Sequence, residues 1–147
     1  MVATDLRDTS SWIASHDPLS VVALTDEVID RFGRAVRSEY VEVYWLPVLG
    51  PSAIWAARRL IDWLDTGTAC VEVPLETLSR SLGLGSGVAR NSPMVRTLTR
   101  LVDFHMAATG GGEYAIRRRF PPLSARHIKR LPEHLVRRHQ LEMEAAQ

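Results

Sequence analysis

A chain of 147 residues, 46% hydrophobic and 24% charged, can bury one core, and no apolar run approaches the ~20 residues that span a bilayer. Its single cysteine, Cys70, excludes an internal disulfide framework and points to a reducing compartment. The net charge of +1 conceals a split: residues 1–89 hold seven Arg against twelve acids, and residues 90–147 hold eleven Arg or Lys against five, giving −5 and +6. A basic half on a nearly neutral chain suits a polyanion-binding face, although an Arg-rich codon bias also yields basic surface.

In chain order, residues 1–16 read as a loose end. Asp17-Pro18 reads as the cap of a short helix through Leu24, and Thr25 as the cap of a helix over 26–32, with Gly33 past its end. Residues 38–49 mix period-two and period-four spacing. A short helix or turn that packs Tyr40, Tyr44 and Trp45 on the core is preferred over a strand, and Pro47 ends either one. The longest helix is predicted over 52–64, with Ile54, Ala57, Leu60, Ile61 and Leu64 as its apolar stripe. Trp55, Arg59 and Trp63 lie off that stripe. They are a candidate dimer interface, since aromatics and Arg are enriched there, unless N-terminal helices cover them.

Val71-Glu72-Val73 alternates as a strand, with Cys70 before it expected as a small buried residue. Leu75, Leu78 and Leu82 mark a helix ended by Gly83. The glycine-rich run 82–87 lacks the Gly-Lys-Ser/Thr ending of a P-loop and follows no strand, so it reads as an inter-helix turn, longer than usual. Ser92-Pro93 opens a second helix reaching His105, by cap and first-position proline. Its apolar face carries Met94, Leu98, Leu101, Val102 and His105, leaving Arg96, Thr97, Arg100 and Asp103 outside.

Residues 106–108, 109–112 and 114–116 read as strand, turn and strand, followed by Arg117-Arg118-Arg119. Arg117 and Arg119 would share one face of a strand and Arg118 the other. Pro121-Pro122 stops the strand, Ser124 caps a short helix to Leu131, and an exposed helix is predicted over 133–143.

Strand, helix, helix and basic hairpin are the order of a winged helix-turn-helix. The expected fold is mainly α with a small β-hairpin wing (α+β). It divides into an N-terminal helical extension (1–49), the winged core (50–123) and C-terminal helices (124–147), all in one domain. The expected partner is double-stranded DNA, bound by a homodimer without membrane contact. Arg96, Thr97 and Arg100 are expected to read base edges, where Arg can donate twice to guanine. Arg90, Asn91, Ser92, Arg117, Arg118 and Arg119 are expected to hold phosphates, partly through the helix N-terminus. No catalytic constellation, cofactor or metal site is expected: no Gly-x-Ser-x-Gly occurs, and among His127, His134 and His139, spaced seven and five apart, the His-x4-His pair does not place both rings on one helix face. The chain start lacks the basic-then-apolar layout of a signal peptide, so a cytoplasmic, nucleoid-associated location is expected. The alternative is a winged-helix adaptor or scaffold working through Trp45, Trp55 and Trp63, because the fold does not imply DNA binding.

Three segments carry a family likeness: Tyr40 to Ala53 (YVEVYWLPVLGPSA), Val71 to Gly85 (VEVPLETLSRSLGLG), and Ser92-Pro93 through Arg100-Leu101 with the later Arg118-Arg119-Phe120-Pro121-Pro122-Leu123. Over roughly residues 38–139 the chain resembles a group of uncharacterised actinobacterial winged helix-turn-helix DNA-binding proteins. The resemblance implies a winged-helix fold and a role in transcription regulation. Ser79 departs from the broader helix-turn-helix pattern, where a small Ala is usual, and His105 stands where Gly commonly precedes the wing.

Overall fold

The computed structural model describes residues 6–146, with side chains from Thr9 onward. The described chain is mixed α/β, with eight α-helices and six strands. It begins with helix α1 (Leu6–Ser15), strand β1 (Leu19–Ala23), helix α2 (Glu27–Phe32) and strand β2 (Arg34–Ala35). A π-helical turn (Val41–Trp45) then runs into α3 (Leu46–Leu49), followed by α4 (Pro51–Leu64), β3 (Cys70–Val73), α5 (Leu75–Ser81) and α6 (Pro93–Asp103). The hairpin β4 (Ala107–Gly110) and β5 (Glu113–Ile116), strand β6 (Arg119–Phe120), α7 (Ala125–Ile128) and α8 (Glu133–Ala145) complete it.

Two N-terminal expectations are corrected. Residues 6–15 of the supposed loose end form α1, which packs along α6; residues 1–5 lie outside the described part. Residues 19–23, expected as a helix, form β1. Leu19 and Val21 point inward while Ser20 points out, and the β-branched pair Val21-Val22 suits a pleated surface better than a helix. Asp17 does cap a helix, but a distant one: its carboxylate accepts the Leu75 N–H at 3.0 Å, at the start of α5, where Pro74 offers no capping side chain.

β1 enlarges the sheet beyond the small hairpin expected. The strand order is β3-β1-β5-β4, with β1 antiparallel to β3 and parallel to β5, and β4 antiparallel to β5. The N-terminal segment therefore supplies an inner strand and is not an appended extension. A separate two-stranded ribbon joins β2 to β6. One continuous core runs from Ile13 to Leu131, and α4 lays Ala53, Ile54, Ala57, Leu60 and Leu64 into it.

Residues 38–49 bury Tyr40, Tyr44 and Trp45, as the short-helix reading requires. Pro47 has no N–H to give Val43, and the turn before it widens so that Leu46 donates to the Val41 carbonyl five residues back. The long turn after α5 is tied down by Ser79. Its buried hydroxyl donates to the Gly85 carbonyl at 2.6 Å, and the Leu84 N–H returns to the Ser79 carbonyl at 2.9 Å. An Ala there could not make the first bond. Cys70, expected buried, is exposed, because β3 is an edge strand. No helix among the described residues is long and apolar enough to cross a membrane.

Candidate nucleic-acid interface

α6 starts as its sequence dictates. Ser92 Oγ accepts the Val95 N–H at 3.3 Å, and Pro93 occupies the first turn. It ends in a Schellman motif, in which Met106 donates to Leu101 and His105 to Val102. His105 takes the left-handed position that usually holds glycine, with φ 63°, and its side chain is exposed; of the two readings of this residue, packed core histidine or C-terminal cap, the core one is corrected and the position at the helix end stands. Neighbours cover more of α6 than one amphipathic face implies. α1, α4 and α5 flank it, and β4 follows. Pro93, Arg96, Arg100 and Asp103 remain exposed, and that stripe forms the floor of a groove between α1 and the start of α4.

Arg90 and Asn91 are exposed beside the helix start, and Arg96 is exposed one turn in; neither arginine has a hydrogen-bond or ion-pair partner among the described residues. Two of the three expected base readers are corrected. Thr97 is 7% exposed, because packing on several sides of α6 leaves only a narrow outer stripe. Arg100 is exposed at its rim but its fork is engaged: Nε donates to the Leu49 carbonyl at 2.7 Å and Nη2 to the Val48 carbonyl at 2.9 Å. Those carbonyls end α3, where Gly50 turns the chain and Pro51 brings no N–H, so Arg100 acts as a helix cap from another element.

The arginine triplet is also corrected. The hairpin closes at Gly111-Gly112, both at positive φ as a two-residue primed turn requires, and Arg117 to Arg119 lie at the opposite end of β5. Arg117 has a side chain only 14% exposed, donates from Nε to the His105 carbonyl at 2.7 Å and lies 3.6 Å from Asp26. Arg118 pairs with Asp65, and Arg119 donates to the Gly33 carbonyl at 3.0 Å. The triplet fastens the hairpin base to neighbouring loops.

Sequence reasoning missed Arg126, Lys129 and Arg130. All three are exposed, on α7 and the turn after it, without a hydrogen-bond or ion-pair partner among the described residues. Phe104 links them to α6: the Arg100 guanidinium lies 5.1 Å from its ring centroid, and the His127 ring 5.5 Å from it. His127 is half-buried; burial, then Arg126 and Arg130, hold its pKa below the usual value. The signal was present as the run Arg126-His127-Ile128-Lys129-Arg130, but only packing brings it beside α6. Elsewhere many cations meet acids, as in Arg37–Asp62, Arg80–Glu76, Arg137–Glu133 and Arg138–Glu39.

At the candidate dimer face, Trp55 is 53% exposed with the Arg58 guanidinium 5.6 Å from its ring centroid. Arg59 instead reaches the Ser81 carbonyl at 3.4 Å, and Trp63 is half-buried against the core. No family model, curated protein or solved structure matches this chain.

Proposed function

We propose that the chain is a winged-helix DNA-binding protein with a regulatory role, and that it grips duplex DNA chiefly through backbone phosphates. The element order from α4 to β5 supports this reading. The antiparallel sense of β3 relative to β5 also fits a winged helix, into whose sheet β1 has been inserted. The observation that carries the proposal is the set of exposed cations without an acidic partner among the described residues, Arg90 and Arg96 at the start of α6 and Arg126, Lys129 and Arg130 at α7. Cations left unneutralised by the protein are what a phosphate backbone rewards. Base reading falls to Arg96, since Arg100 and Thr97 are committed within the fold. A homodimer centred on Trp55 belongs to the same proposal.

Fluorescence anisotropy with a random duplex pool tests it. If these five cations each meet a phosphate, log affinity falls against log salt with a slope of about −4.5. Replacing Arg126, Lys129 and Arg130 together with Gln should bring the slope to about −2. No binding at low salt, or an unchanged slope in the triple variant, refutes the assignment. The first of these outcomes favours the second reading, a protein-interaction adaptor, for which the exposed Trp55 is the supporting observation.

A further inference from the structure

We propose that His127 couples proton uptake to DNA binding, the ring being neutral in the free protein and protonated when duplex phosphates settle on the α7 cations around it. This rests on the phosphate contacts proposed above for Arg126, Lys129 and Arg130. Local structure sets the ring in place. Ser124 Oγ accepts the His127 N–H at 3.3 Å at the start of α7, and Leu131 is buried just past its end, so the short helix is held at both ends. His127 packs edge-to-face on Trp45, with ring centroids 5.5 Å apart, and lies tilted against Phe104 at the same distance. Arg126 directly precedes it, and Arg130 follows one turn later, its N–H donating to the His127 carbonyl at 3.0 Å.

Two costs oppose a charge on this ring. Burial is the larger: Nδ1 is buried with no hydrogen-bond partner, so its N–H in the imidazolium has no acceptor. The like charges of Arg126 and Arg130 are the second, and Lys129 stands exposed beside them. What reaches the ring from other elements is uncharged aromatic surface, Trp45 and Phe104, with the Arg100 guanidinium 5.1 Å from the Phe104 centroid. No carboxylate of the described residues offsets these costs. A phosphate reverses the second of them. It neutralises the cation it meets and sets negative charge of its own beside the imidazole. His127 is half-buried, not enclosed, and Nε2 is the ring nitrogen left to donate to a phosphate oxygen. Linkage then fixes the sign: binding that raises the ring's hold on a proton is itself tightened by protonation. Affinity for duplex DNA rises as pH falls through the range between the free and the bound ring's pKa.

The test measures anisotropy of the random duplex pool with the full chain at about pH 5.5 and about pH 7.5, both at about 0.1 M salt. Alongside it, the His127 ring signal is followed by NMR through a pH titration with and without duplex. Affinity is expected to be about fivefold higher at the lower pH. In His127→Gln the two affinities should agree within about twofold, whereas His134→Gln, at an exposed position on α8, should keep the fivefold ratio. The NMR midpoint of His127 should move up by about half a pH unit or more when duplex is added, a readout that needs no variant. Equal affinity at both pH values, a fivefold ratio retained in His127→Gln, or an unmoved midpoint overturns the proton coupling and leaves the DNA reading standing. No binding at either pH overturns both.

Discussion

Arg100→Ala separates two roles that the sequence alone merges, base reader and internal cap. The structure gives Arg100 two charge-assisted hydrogen bonds, at 2.7 and 2.9 Å, to carbonyls ending α3, and places its guanidinium over Phe104. A hydrogen bond to a charged group contributes about 1.5–3 kcal/mol, but Arg100 is partly solvated and water can reach a carbonyl left behind. We therefore expect a loss of about 2 kcal/mol for the pair, which for a chain of this size lowers Tm by about 6 °C. Arg100→Lys should recover less than half, because an ammonium group cannot fork onto two carbonyls. Urea unfolding followed by tryptophan fluorescence measures the change. If Arg100→Ala unfolds within about 0.5 kcal/mol of the parent while losing affinity for only some duplex sequences, the cap assignment is wrong and the base-reading role is restored.

Two further outcomes follow from local geometry. His105→Gly should raise stability by about 1 kcal/mol, because φ 63° is strained for a residue with a Cβ and the Arg117 contact uses only the backbone carbonyl of His105; a lower Tm would refute the strain. The pH dependence rests on His139 and His127, whose pKa values burial holds below the usual 6.5. For His139, Glu142 opposes that shift and Arg34 adds to it. The Leu123 N–H donates to the Tyr40 hydroxyl at 2.9 Å, and the same hydroxyl hydrogen-bonds His139 Nε2 at 2.7 Å, so the ring is packed in a buried network. Between 6.5 and the lowered folded values the unfolded chain binds more protons, so stability is complete above about pH 6.5 and falls as pH drops through that window. Tm should be lower at pH 5.5 than at pH 7.5, with a smaller drop in His139→Gln; equal drops would exclude His139 as a source.

Much of the chain was legible because its signals are local. Ser92-Pro93 marks the start of α6 through a hydroxyl and a missing N–H, both of which act within one turn. Gly111-Gly112 permits a two-residue turn, and the apolar stripe of α4 announces its buried face. Other features depended on what arrives from elsewhere in the chain. Residues 19–23 form a strand because β3 and β5 offer open edges on either side, and no residue within that segment records them. Thr97 and Arg100 sit on the polar side of α6 by spacing, yet neighbouring elements bury one and engage the other. The same holds for charge. The excess of cations after residue 90 is set by the sequence, but which of them stay free is decided by where Asp26, Asp65 and the loop carbonyls come to lie. Periodicity and caps act over a few residues and can be read one element at a time. Burial and ion pairing depend on the three-dimensional neighbours that the tertiary structure alone brings together.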